Sequence, residues 1–88
     1  MIAVKDAIAK ATEFAKELLE SERASQLRLE EVEVVNAKGS DLWLITLSMP
    51  QINSFGFLSQ RREYKSFTVD GQTGEVRSMK IRELAGTE

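Results

Sequence analysis

The fold follows from one stretch near the middle of the chain, Leu42-Trp43-Leu44-Ile45-Thr46-Leu47-Ser48-Met49. Its aliphatic, aromatic and β-branched residues are typical of a β-strand. Pro50 follows and predicts the end of the strand, because proline cannot donate to a sheet ladder. Successive side chains of a strand alternate between its two faces. One face therefore carries Trp43, Ile45, Leu47 and Met49, and the other carries Leu42 and Leu44 before Thr46 and Ser48.

Three further strands are predicted around this one. The preceding segment changes to a period of two around Val32 and Val34, and a run of turn residues then joins it to the central strand as an antiparallel hairpin. After the central strand, the turn signal Asp70-Gly71-Gln72-Thr73-Gly74 joins the last two strands. The four predicted strands cover residues 27–36, 42–49, 61–69 and 75–82.

The N-terminal segment is predicted to form one amphipathic helix over residues 3–22. Apolar residues recur there at spacings of three and four, and charged residues occupy the opposite side. One helix followed by four strands with short connections favours a meander sheet with the helix lying across one face. The predicted fold is therefore a single two-layer α+β domain over residues 1–88, with a tail, Glu83 to Glu88, that is predicted to fray.

The composition excludes several kinds of chemistry. The 88 residues include no Cys and no His, which removes thiolate chemistry, the commonest metal ligand and the commonest general base. No glycine-rich phosphate loop is present, and the serines have no histidine to activate them. The best acidic cluster is Glu30, Glu31 and Glu33, but strand alternation predicts that Glu30 points away from the other two. We therefore expect no enzyme, no cofactor and no metal site.

Charge and hydropathy restrict the location and the partners. Twelve basic and 14 acidic residues give a net charge of −2, which does not favour whole-domain binding to nucleic acid. Charges at Lys5, Asp6 and Lys10 interrupt any apolar signal segment, and no stretch approaches the length of a membrane span. The sequence thus predicts a cytoplasmic protein without membrane contact, of a size that suits a bacterial accessory protein or inhibitor.

One segment resembles a known family. The stretch Tyr64-Lys65-Ser66-Phe67-Thr68-Val69-Asp70-Gly71-Gln72-Thr73-Gly74-Glu75-Val76 is similar to the closing hairpin of PepSY-like domains, in which a tyrosine-led strand runs into Val-Asp, two residues and Thr-Gly-Glu-Val. The order of a helix followed by strands is also similar to the layout of that family. The resemblance implies the fold and a non-enzymatic binding role. It also implies an association with the inhibition of peptidases, and it implies no catalytic residue.

Two apolar regions are candidate partner-binding surfaces. A single helix covers one face of the sheet, so the apolar residues of the other face need cover from elsewhere. The connection at residues 51–60 is apolar for a loop, and it either folds back over that face or presents its side chains to a partner protein or a second copy of the chain. The candidate partner-binding residues are Leu42, Leu44, Ile52, Phe55, Phe57 and Leu58.

Two alternatives remain open beside this expectation. A basic patch late in the chain suits an acidic partner or RNA, although interspersed glutamates favour a solvated strand face that discourages edge pairing. A small-ligand pocket between helix and sheet is the other alternative, lined by Phe14, Leu18, Trp43 and Phe67. The basic patch comprises Arg61, Arg62, Lys65, Lys80 and Arg82. The expected function is a small non-catalytic protein-binding domain, acting as a homodimer or as a peptidase-inhibitor-like module.

Overall fold

A computed structural model describes residues 1–82 as an N-terminal helix packed on a four-stranded antiparallel sheet. The strands follow one another in the order β1-β2-β3-β4, so the sheet is a meander. This architecture confirms the predicted α+β fold, while the predicted fraying of residues 83–88 lies outside the described residues. The elements are α1 (Val4–Leu18), α2 (Ser21–Ala24), β1 (Arg28–Ala37), β2 (Ser40–Ile52), β3 (Leu58–Asp70) and β4 (Val76–Arg82).

The N-terminal segment forms two helices where the sequence predicts one over residues 3–22. α1 ends at Leu18, and Leu19 adopts extended backbone with φ −104° and ψ 153°. Leu19 packs against the core, and the bend carries α2 onto β2. There Arg23 Nε donates a hydrogen bond to the Pro50 carbonyl at 2.8 Å. The apolar residues keep their helical spacing of three and four through Leu19, but these long-range contacts override it and end the helix there.

The β2–β3 hairpin is longer than the sequence predicts and takes up half of the predicted loop, residues 51–60. β2 continues through Pro50 to Ile52, which pairs with Leu58 at the start of β3. Pro50 is accommodated because it lies beyond Ser48, the last β2 residue paired with β1, and beside a register shift. Prolines occur in strands at such edge positions and bulges.

The core lies between α1 and the face of the sheet that carries the Trp43, Ile45, Leu47 and Met49 row. α1 contributes only alanines to the fully buried set, so the helix approaches the sheet closely. The Phe14 ring meets the Phe67 ring edge-on, with ring centroids 6.2 Å apart. The buried apolar residues are Ala7, Ala11, Ala15, Ile45, Leu47, Met49, Phe67 and Val69.

The N-terminus is fastened to the end of the sheet where β3 turns into β4. Ile2 N–H donates to the Gly71 carbonyl at 2.6 Å, and Gly71 N–H donates to the Asp41 carbonyl at 3.1 Å. The Trp43 indole N–H donates to the Ile2 carbonyl at 3.1 Å. A Cβ at Gly71 would lie 2.5 Å from the Asp41 carbonyl oxygen, so this close approach of two backbone segments requires glycine.

Candidate functional site

The arm, residues 49–63, is the part of the β2–β3 hairpin that extends past the pairing of β2 with β1. Its tip, residues 52–58, carries four of the six predicted partner-binding residues. Phe55 is 83% exposed, Phe57 is 69% exposed and Ile52 is 41% exposed, while Leu58 is half-buried. The structure therefore places two aromatic side chains in solvent at the far end of a two-stranded projection.

The tip has a defined backbone shape because one side chain closes it. Asn53 Oδ1 accepts hydrogen bonds from the backbone N–H groups of Phe55, at 2.9 Å, and Phe57, at 3.1 Å. The Asn53 backbone N–H also donates to the Phe57 carbonyl at 2.8 Å, and Gly56 takes the left-handed conformation with φ 86°. Asn53 was not among the predicted site residues, although Asn and Gly three residues apart are a turn signal that could have identified it.

The base of the arm is clamped to α2 by Arg23. The Arg23 guanidinium donates to the Pro50 carbonyl at 2.8 Å and forms an ion pair with Glu63 on the opposite strand of the arm. Its side chain is only 13% exposed. Sequence reasoning missed this residue, because no local pattern connects a helical arginine to a strand carbonyl that follows it 27 residues later.

The other two predicted partner-binding residues lie far from the tip. Leu42 pairs with Asp70 and Leu44 pairs with Thr68, at the opposite end of the β2–β3 hairpin. At the rise of a β-strand, Leu44 is roughly 26 Å from Ile52. Both leucines are half-buried, and the exposed tip does not fold back over them. The six residues therefore form two separate surfaces.

The open face, meaning the sheet face turned away from α1, is covered in its centre by charged side chains of the sheet itself. Thr46 and Ser48 lie on this face, yet they are 1% and 0% exposed. Arg82 pairs with Glu31 and donates to Thr46 Oγ1 at 3.0 Å. Long side chains thus bury their stems over a row of hydroxyl groups. The polar centre of this face is therefore covered by the sheet's own side chains, whereas Leu42 and Leu44, for which the sequence predicts cover from elsewhere, are half-buried.

A bulge in β1 changes the predicted direction of Glu30. The register of β1 with β2 shifts between Leu29 and Glu31, so strict alternation fails at that point. Glu30 Oε2 accepts a hydrogen bond from Ser48 Oγ at 2.6 Å, which places Glu30 on the open face with Glu31 and Glu33. The prediction that Glu30 points away from the other two is wrong. Within residues 1–82, no group of three acidic side chains is arranged to hold a metal ion.

The five residues of the predicted basic patch do not form one surface. Lys65 lies on the helix-facing side of β3, whereas Arg62 lies on the open face, as do Lys80 and Arg82 of β4. Arg61 is exposed on the arm, beside the register shift of β3 with β2. Arg62 Nε donates to Ser48 Oγ at 2.8 Å, and Lys65 lies 3.9 Å from the Glu63 carboxylate. Burial and the nearby charge of Arg28 lower the pKa of the Arg62 guanidinium from its ordinary value. Most of these cations are engaged with their own sheet.

The residues proposed for a small-ligand pocket are also distributed over the fold. Leu18 and Phe67 line a groove near the end of α1, while Trp43 contacts Ile2 at the other end of the sheet.

No helix within the described residues is long and apolar enough to cross a membrane.

Comparison with models of protein families, with curated proteins and with solved structures finds no match to this chain. The tip of the arm therefore stands as the candidate site on its geometry, which combines exposed aromatic side chains with an ordered backbone.

Proposed function

We propose that this protein is a small non-catalytic protein-binding domain that docks on another polypeptide through the tip of its arm. The observation that carries the proposal is the exposure of Phe55 and Phe57 on a turn that Asn53 holds in one shape. Burying a phenylalanine side chain contributes about 1.5–3 kcal/mol. A rigid tip loses little conformational freedom on binding, so more of that free energy is available for affinity.

The surroundings of the tip support the same function. Aromatic residues are enriched among the side chains that dominate protein–protein interfaces. The clamp of Arg23 on Pro50 and Glu63 fixes the base of the arm, so the tip is presented at a defined position relative to the body. The resemblance of residues 64–76 to PepSY-like domains adds peptidases to the classes of partner that deserve a test.

A photocrosslinking experiment tests the proposal. A photoreactive benzoyl-phenylalanine replaces Phe55 in one variant and Lys38 in a matched control. Lys38 is exposed in the turn between β1 and β2, at the end of β2 away from the arm. Both variants are irradiated in cells, and the adducts are identified by mass spectrometry. We expect a defined polypeptide adduct at Phe55 that is absent at Lys38 and weakened by Phe57→Ser. The same adducts at both positions, or none at Phe55, would refute the proposal.

A further inference from the structure

The two outer strands of the sheet, β1 and β4, each have one side without a neighbouring strand. The strand order β1-β2-β3-β4 places them at opposite edges, and within residues 1–82 no further strand pairs with either of them. An edge strand presents backbone N–H and C=O groups that an extended segment can bind. The backbone of these edges therefore selects another β-strand as the partner.

The side chains of the two edges are opposite in charge. β1 carries three glutamates and one arginine, which is a net charge of −2, whereas β4 carries three basic residues and no acidic one. Like charges directly opposite each other destabilise a pair of strands. Twofold pairing of β1 with β1, or of β4 with β4, is therefore disfavoured, whereas pairing of β4 with β1 of another copy is favoured.

Both edges also carry exposed apolar side chains on the helix-facing side of the sheet. Val34 pairs with Trp43 of the helix-facing row and is 51% exposed. Met79 pairs with the buried Phe67 and is 38% exposed. Ile81, on the same face of β4, is 78% exposed. Because α1 packs mainly on β2 and β3, the apolar residues at both edges extend past the helix.

We propose that β4 of one copy of this chain pairs antiparallel with β1 of a second copy, with Ile81 opposite Val32 and Met79 opposite Val34. β1 and β4 run in opposite directions in the meander, so the second copy continues the same sheet. In these two strands, residues that share a face direct their backbone groups alike relative to the outer side. Matching the apolar faces therefore also matches the hydrogen-bonding groups. This contact lies apart from the tip and goes beyond the proposed function.

The same register places charges of opposite sign together on the open face. Lys80 lies opposite Glu33 of the second copy, and Arg82 lies opposite Glu31. Arg82 and Glu31 already form an ion pair within each copy. Lys80 and Glu33 are exposed, and neither has an ion-pair partner among the described residues. The pair of Lys80 with Glu33 is therefore the electrostatic gain of the contact.

The contact is head-to-tail, so it does not close at a dimer. A complex of two copies keeps one open β1 edge and one open β4 edge, and each edge can add a further copy. The register joins residues 78–82 to residues 31–35, which is a short pairing. We therefore expect weak association that continues beyond the dimer as the concentration rises.

Sedimentation velocity of the full chain over about 10 μM to about 1 mM tests this assembly, because the range covers weak association. We expect the mean mass of the wild type to rise past that of a dimer without a plateau. Glu33→Lys and Lys80→Glu each bring like charges together, and we expect a dissociation constant about tenfold higher for each. The double variant Glu33→Lys/Lys80→Glu restores a pair of opposite charges and should associate like the wild type.

Charge reversals on the helices are the matched controls. Lys16→Glu on α1 and Glu22→Lys on α2 change the net charge by the same amounts at exposed positions that belong to no strand. We expect each of them to leave the association unchanged. Far-UV circular dichroism of every variant confirms that it is folded.

Three results would overturn the proposal. A wild-type chain that stays monomeric up to about 1 mM does not pair its own edges, which would then suit a strand of another protein. A mass that levels off at the dimer indicates a twofold contact instead. Single variants that associate like the wild type, or a double variant that does not recover, would place the contact elsewhere on the molecule.

Discussion

Arg23 provides the sharpest test of how the arm is held. Arg23→Ala removes the hydrogen bond to the carbonyl of Pro50, which is a buried residue. It also removes the ion pair with Glu63. Hydrogen bonds to charged groups contribute about 1.5–3 kcal/mol, and the two contacts of one guanidinium are not additive. Glu63 keeps Lys65 as a neighbour at 3.9 Å. We therefore expect the free energy of unfolding to fall by about 2–3 kcal/mol.

Urea denaturation followed by far-UV circular dichroism measures this change. The matched control is Arg77→Ala, which removes an ion pair of 2.6 Å between Arg77 and Asp70 whose arginine side chain is 55% exposed. Exposed ion pairs contribute about 0–1 kcal/mol, so the control should change stability much less. Equal losses in the two variants would refute the reasoning that burial makes the Arg23 contacts strong. Amide hydrogen exchange of the arm should also be faster than in the wild type for Arg23→Ala but not for Arg77→Ala.

Three further predictions follow from the packing and the turns. Phe67→Ala empties a fully buried position and should lower the free energy of unfolding by about 3–5 kcal/mol. Phe57→Ala, at an exposed position, should change it by less than about 0.5 kcal/mol. Thermal melting of the two variants compares these effects. Gly71→Ala forces a Cβ against the Asp41 carbonyl and should cost about 1–3 kcal/mol in urea titrations, and an unchanged stability would contradict the close approach. Hydrogen bonds from the backbone N–H groups of Thr73 and Gln72, together with Arg77, hold the pKa of Asp70 below its ordinary value. The ionised carboxylate therefore stabilises the fold fully above about pH 4, the range in which it is also ionised in the unfolded chain. This stabilisation is lost as the pH falls through the lower pKa of the folded state. The stability difference between wild type and Asp70→Asn should therefore shrink in urea titrations at decreasing pH, and a difference independent of pH would contradict this assignment.

The parts of the fold that depend on local periodicity could be predicted from the sequence. The alternation around Ile45 and Leu47 correctly grouped the residues that share the helix-facing row, and the turn residues from Asp70 to Gly74 placed the last hairpin. In the structure Asp70 Oδ1 accepts hydrogen bonds from the backbone N–H groups of Gln72 and Thr73, which is the chemistry that the turn signal predicts. These features were accessible because residues close in sequence determine them.

The features that were missed depend on contacts between distant residues. The break at Leu19 follows from packing on the core and on the arm, and the bulge beside Glu30 changes which face a glutamate occupies. The pairing of Arg82 with Glu31 joins residues 51 positions apart, and the position of neither residue in the sequence indicates it. The candidate site was predicted in part, since its phenylalanines were identified but the loop was expected to be longer and less regular.

The position of Trp43 has a practical consequence for experiments on this protein. It is the only tryptophan, and its indole N–H is bonded to the backbone of Ile2 at the end of the sheet away from the arm. Intrinsic fluorescence therefore reports the solvation of that end. Release of the N-terminal residues 1–3 from the sheet should shift the emission to longer wavelength, while loosening of the arm should leave the spectrum unchanged. Emission and circular dichroism recorded on one sample would thus separate the opening of the two ends of the molecule.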